Sequence, residues 1–274
     1  MTTRKNQVRK RDMSFANRTM TKIWQEIPSE QNPYLAEACR CHGYDILELA
    51  QKRSFSEVLF LLFQGELPTP EQARMLEFLF VSMINPGPRH PATRAAMNAG
   101  VGKTTPAHIL PIGLNALGSE YLGGQEVEAA IRFFRKNLRD SPNALVAECL
   151  KGERPHKGDW HIVPGFGSRF GEIDPMPLKI IALLRTKGSG QAISWGCSFA
   201  EALKPYGMGW LSTGVVAAVL SDLGFLPQTG AGLFQLICAP GILAHGLELT
   251  NKPISAMPFL DEEHYVIEPE SRKK

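Results

Sequence analysis

The sequence predicts an all-helical protein, on three observations. Two strongly apolar stretches between residues 54 and 84 each open on a helix-capping pattern, residues 124–140 repeat apolar side chains at helical spacing, and alternating strand patterns are nearly absent. A chain of 274 residues, 43% hydrophobic and 21% charged, has the composition of a soluble globular protein and the length of one large domain or two small ones.

"TRKNQVRKR" near the start and "SRKK" at the finish hold much of the excess charge behind the formal +3, and read as solvated tails. No binding to DNA or RNA is expected. The basic start lacks the apolar run and small-residue cleavage site of a secretory signal. No apolar run reaches the roughly 18 residues of a membrane span, so a cytoplasmic protein without membrane contact is expected. Cys39, Cys41, Cys149, Cys197 and Cys238 are odd in number and show no zinc-site spacing. They read as free, mostly buried thiols in a reducing compartment, and no metal is expected.

Ser54 with Glu57 forms a capping-box pattern, and the apolar run that follows stops at Gly65. Thr69, Pro70 and Gln72 repeat the device for the next helix, which ends at "NPGP". Both helices are apolar around their circumference and are expected deep inside the body. "ATRAAMNAG" and "AHILPIGLNALGSEYLGG" read as closely packed helices punctuated by glycine. In "GQEVEAAIRFFRKNLRD" Val127, Ile131, Phe134 and Leu138 line one face, and Ser141-Pro142 breaks the pattern before another helix. A loop around "GERPHKGDWHIVPGFG" precedes four more helical segments, and after Leu249 prolines 253, 258 and 269 mark an extended tail lying over a neighbouring surface. "NAGVGKTT" is not a phosphate-binding loop: Met97 stands where the first glycine belongs and the approach is helical. It reads instead as a helix ending near Asn98 with Lys103 in solvent.

"GYDILELAQKRSFSEVLFLLFQGELPT", "LGSEYLGGQEVEAA", "VPGFGSRFGEIDP" and "LGFLPQTGAGLFQLICAPGILAHGLE" together resemble the citrate synthase family, which includes the citryl-CoA lyases. The stretches occur in the family's order and cover most of residues 40–250. The resemblance implies an all-α fold with a large helical domain (21–123 and 214–274), a smaller inserted one (124–213) and a basic tail at 1–20. It also implies a homodimer with active sites in the clefts between domains. In that family a Pro-Gly-Phe/Tyr-Gly turn wraps the adenine end of coenzyme A and a basic residue meets its phosphates. Pro164, Gly165, Phe166, Gly167 and Arg169 stand in those places. Glycine lets a backbone approach a flat ring and arginine's planar fork suits phosphate, although an ordinary loop with a surface arginine has the same residues.

The family's reaction removes a proton beside a thioester, so it needs a carboxylate base and a neutral donor to the thioester oxygen. By the resemblance, Leu122 occupies the donor histidine's place, Ser168 that of a second histidine, and Trp210 that of the aspartate base. Pro86 and Met176 replace a histidine and an arginine of the keto-acid pocket, and "CAPG" lacks the arginine of a late turn. Citrate synthesis from oxaloacetate is therefore not expected. Glu120, Glu172 and His90 are the remaining catalytic candidates, each with an ordinary structural reading. Tyr121 and Asp174 accompany them, and His245 reads as structural. Arg89, His90, Arg94, Leu122, Ser168 and Trp210 are the expected pocket, in which Ser168 is the exposed position of its turn and Trp210 and Leu122 either line a cavity or fill space. Two functions stay open. One is an enzyme using coenzyme A or an acyl-CoA as substrate, with relocated catalytic groups. The other is a catalytically inactive CoA-ester-binding or scaffolding subunit that pairs with an active relative.

Overall fold

The computed structural model describes residues 18–152, 160–258 and 260–268. Most of the basic N-terminal tail, the C-terminal "SRKK" and positions 153–159 of the loop before the Pro-Gly-Phe-Gly turn lie outside the described residues. The chain divides into two compact units, one up to Ser54 and one from Phe55 onward.

The fold is mainly helical as the sequence predicts, and the first unit adds a small sheet to it. β1 (Trp24–Pro28), β2 (Ala36–Cys41) and β3 (Tyr44–Asp45) form an antiparallel meander. His42 and Gly43, at φ 47 and 88, make the two-residue turn between β2 and β3, the conformation a tight hairpin demands. Most of β1 and β2 is exposed on both faces, so no apolar/polar alternation marks them in the sequence. Asp45 then caps α1 (Ile46–Lys52), accepting from the amides of Leu47 at 2.9 Å and Glu48 at 3.0 Å.

In the second unit, α2 (Phe55–Gln64) stops at Gly65, whose φ of 82 is left-handed. α3 (Pro70–Ser82) opens on the expected reciprocal cap: Gln72 donates its amide to Thr69, and Thr69 donates its own to the Gln72 side chain. Their burial is one-sided rather than complete, since Phe55 (77%), Phe63 (49%) and Val81 (63%) face solvent on this chain. α4 (Pro91–Val101), α5 (Pro106–Leu117) and α6 (Gly124–Asn137) follow, and Val127, Ile131 and Phe134 of α6 are buried as their spacing predicts. α7 (Pro142–Cys149) begins at Ser141-Pro142. β4 (Trp160–Val163) and β5 (Phe166–Ser168) lead to α8 (Pro175–Leu184) and α9 (Gln191–Leu203). β6 (Gly209–Trp210), α10 (Ser212–Asp222) and α11 (Pro227–Glu248) complete the order, giving eleven α-helices among the described residues.

Two helices organise this unit. Every residue from Thr213 to Leu220 of α10 is buried, against α6 and α9. α11 packs on α4, α5 and α6, and the backbones come so close that a Cβ at Gly100 would lie 2.2 Å from the carbonyl oxygen of Gly246. With 22 residues and a mean hydropathy of 1.4, α11 is long and apolar enough to cross a membrane by length and composition, although its uninterrupted apolar runs are short. Three packed neighbours account for that apolarity as a core helix.

Three details differ from expectation, and a fourth was not foreseen. Lys103 is tied down rather than solvated: its Nζ donates to the carbonyls of Thr250 (2.7 Å) and Lys252 (2.6 Å) just past α11. Only Cys41 and Cys238 are buried, the other three cysteines being half-buried, and burial pushes the Cys238 thiol up to about 12. The described part of the C-terminal tail covers little of this chain, with Ile254, Val266 and Ile267 exposed. α9 begins on Gly190 without a side-chain cap of its own, and Asp222, at the end of α10, accepts from Ala192 (2.7 Å) and Ile193 (2.9 Å) instead.

Candidate functional site

The Pro-Gly-Phe-Gly segment is a hairpin. Val163 pairs with Phe166, leaving Pro164 and Gly165 as the turn, with Gly165 at φ 83. Proline followed by a left-handed glycine is the type II pattern. β5 is the central strand of β4-β5-β6, pairing Phe166 with Trp210 and Gly167 with Gly209. Both glycines are accounted for within the chain: a Cβ at Gly165 would lie 2.5 Å from Cα of Gly214, and one at Gly167 would lie 2.0 Å from the Trp160 carbonyl oxygen. The polar groups of Gly165 are also taken, its amide donating to Glu126 (3.2 Å) and its carbonyl accepting from Leu211 (2.9 Å). Phe166 is wholly buried among Phe133, Phe134, Phe199 and Trp210.

Ser168 is 1% exposed, so the expectation of an exposed position is corrected. It shares a face of β5 with the buried Phe166, two residues before it, and its Oγ has no hydrogen-bond partner among the described residues. Trp210 is also 1% exposed: its indole fills space between Phe134 and Phe166 and over Gly196, while one edge borders a cleft of about 240 Å³ with Arg185, Cys197 and Lys204. Burial raises the Cys197 thiol, with Arg185 and a hydrogen bond involving Trp210 opposing. Leu122 is buried and strained into φ 52.

That turn at Leu122 is where polar groups converge. Glu126, 4% exposed in the first turn of α6, places Oε2 at 2.8 Å from the Leu122 amide and Oε1 at 2.6 Å from Nδ1 of His161. Together with the Gly165 amide, one carboxylate therefore meets three donors from three segments. Tyr121 stacks on the His161 ring, centroids 4.8 Å apart and planes 21° from parallel, and the Arg169 guanidinium lies 6.0 Å from the Tyr121 centroid. His90 closes the group from the other side, its Nε2 donating to the Leu122 carbonyl (3.1 Å) and its Nδ1 accepting from Ala92 (3.2 Å) as the N-cap of α4. Burial lowers the His90 imidazole below its ordinary value; the Leu122 bond opposes this and the Arg169 charge adds to it. His90 is therefore a cap with both nitrogens engaged, and its surroundings favour the neutral ring.

Sequence reasoning missed Glu126 and His161. The signal for Glu126 was its place four and eight residues before Ala130 and Phe134, on the buried stripe of an otherwise amphipathic helix. His161 carried no comparable signal, because the contact that defines it spans 35 residues. Of the expected residues, His90, Leu122 and Arg169 join this cluster. Glu120 is exposed and accepts from Gln125, Glu172 is exposed in a backbone turn with Arg169, and Arg89 and Arg94 are exposed. Asp174 caps α8, Met176 is 55% exposed at its start, and His245 meets Asn85 beside Pro86 at 3.2 Å. No cluster of three or more possible metal ligands occurs among the described residues.

Comparison with known proteins agrees with this architecture. The family described as "Citrate synthase, C-terminal domain" matches residues 19–170. The citrate synthase of Corynebacterium glutamicum is 36% identical over 77 residues, 24% of this chain and only 18% of that protein's length. The citryl-CoA lyase of Hydrogenobacter thermophilus superposes with a TM-score of 0.75 at 27% identity, covering 93% of this chain and 96% of that one. An ATP citrate lyase from Methanosaeta concilii, solved with (3S)-citryl-CoA, gives 0.66 at 17% identity over 92% of this chain and 43% of that one, a likeness of fold alone. With a family match over more than half its length and this mainly helical fold, the chain belongs to the citrate synthase family.

Proposed function

We propose that the protein acts on a coenzyme A thioester, forming or cleaving a carbon–carbon bond at the carbon beside the thioester carbonyl, with catalytic groups other than the family's own. The observation that carries this reading is Glu126. It ties the Leu122 turn, where the family holds the thioester oxygen, to Gly165 of the turn that the family uses for coenzyme A. Likeness to a citryl-CoA lyase over nearly the whole of both chains supports the substrate class. In this reading 124–213 is the smaller domain inserted into the larger one, the thioester is the only coenzyme required, and Arg169 meets phosphate. The chain pairs with a second copy of itself, for which the exposed apolar side chains of α2 and α3 give a surface. Leucine and tryptophan at 122 and 210 can neither donate to an enolate nor take its proton, so acetyl-CoA and oxaloacetate yield no citrate.

Titration calorimetry with coenzyme A, acetyl-CoA and citryl-CoA, run beside solvent deuterium exchange into the α-carbon, tests the reading. Binding with exchange, or cleavage of citryl-CoA, supports it. Binding without exchange across a panel of esters replaces it with a catalytically inactive CoA-ester-binding subunit that serves an active relative. Absence of binding ends both readings.

A further inference from the structure

Two histidines adjoin the Leu122 turn, and they differ in one respect. His90 has both ring nitrogens engaged by backbone, Nδ1 by Ala92 and Nε2 by Leu122. His161 has its Nδ1 held at 2.6 Å by Glu126, while its Nε2 is buried and meets no hydrogen-bond partner among the described residues. A fastening histidine in a folded interior satisfies both nitrogens, as His90 does; one left with a single open nitrogen is built for another purpose or costs stability without return. A carboxylate on Nδ1 fixes the tautomer that carries its proton there and leaves the Nε2 lone pair available, the arrangement of an oriented general base.

We propose that His161 is the proton-moving catalytic residue of this chain and that Glu126 is its positioning residue. The proposal rests on the thioester reading above. The same carboxylate that holds the imidazole also holds the amide of Leu122 at 2.8 Å, so the ring is fixed one carboxylate away from the turn where the family carries its own histidine. Tyr121, 43% exposed, lies flat on the ring, and only 17% of the His161 side chain reaches solvent, so water competes poorly for the base. In the step, the α-carbon–hydrogen bond breaks, Nε2 takes the proton, and the bonding pair moves into the carbonyl to give the enolate. In the reverse sense the imidazolium returns that proton to the α-carbon. No oxidant or metal enters the balance.

The test is α-carbon deuterium exchange with acetyl-CoA and citryl-CoA by the full chain and by H161N, whose amide retains a donor toward Glu126. Exchange is expected to fall about 100-fold or more, the usual contribution of a positioned acid or base, while the Kd for the ester stays within about threefold. E126Q is expected to lower kcat about tenfold with KM little changed, as a positioning role requires and a general loss of folded protein does not. E126Q keeps the imidazole in place, so its split between kcat and KM decides the matter even if H161N folds poorly. A folded H161N with wild-type exchange, or a folded E126Q with unchanged kcat, overturns the proposal and leaves the thioester reading intact. A wild type that binds no ester overturns the thioester reading first.

Discussion

The indole of Trp210 lies directly over Gly196, where a Cβ would come within 2.2 Å of its Cη2. Trp210 is thus a ring sunk into an aromatic cluster, and a glycine on the facing helix makes room for it. Because the fit is mutual, W210A is expected to cost about 3–5 kcal/mol, and W210D more, since an unpaired carboxylate would sit between Phe134 and Phe166. G196A forces the indole aside and should cost about 1–3 kcal/mol. Urea unfolding monitored by tryptophan fluorescence measures all three.

The hairpin glycines make a contrasting pair with a glycine elsewhere. G167A drives a methyl into the Trp160 carbonyl, 2.0 Å away, within the central strand, and is expected to lower the thermal midpoint. At Gly232 in α11 an added methyl would meet nothing within 4 Å, so G232A should stabilise by about 0.5–1 kcal/mol through helix propensity alone. Opposite signs from the same chemical change would separate packing from propensity.

Asp222 supplies the cap that α9 lacks. D222A is expected to lose about 1–2 kcal/mol, and D222N less, because an amide oxygen can still accept from Ala192 and Ile193. Hydrogen exchange should show the loss concentrated at the amides of Ala192 and Ile193.

His90 predicts a dependence on pH. Its imidazole titrates below the ordinary 6.5, chiefly through burial, so the unfolded chain takes up the proton first. The stabilisation is complete above 6.5 and is lost as pH falls through the lower folded value. Between pH 7.5 and 5.5 the urea midpoint of wild type should fall by more than that of H90Q.

In the proposed thioester reading Arg169 meets phosphate. A charge-assisted bond to phosphate is worth about 1.5–3 kcal/mol, so R169A should weaken coenzyme A binding roughly 10- to 100-fold, with little change for a CoA-free thioester of the same acyl group. Calorimetry with both ligands distinguishes a phosphate contact from a general disturbance of the site.

The helices were legible because their signals are local. Thr69 and Gln72 announce the start of α3, Gly65 the end of α2, and the spacing of Val127, Ile131 and Phe134 the buried face of α6. The meander at 24–45 was not, since strands exposed on both faces leave no alternation to read. Of the site, Leu122, Ser168 and Trp210 could be named from their motifs, but whether each faced a ligand or the interior could not be read from them.

What the sequence alone determined is the succession of capped and glycine-punctuated helices and the motifs that carry the family resemblance. Both are properties of neighbours along the chain. The tertiary structure alone decided that Ser168 and Trp210 are interior, that Asp222 caps a helix thirty residues away, and that Glu126 joins His161 to Leu122 and Gly165. The physical reason is that burial and hydrogen-bond partnership depend on which distant segments meet, and no local period encodes that meeting.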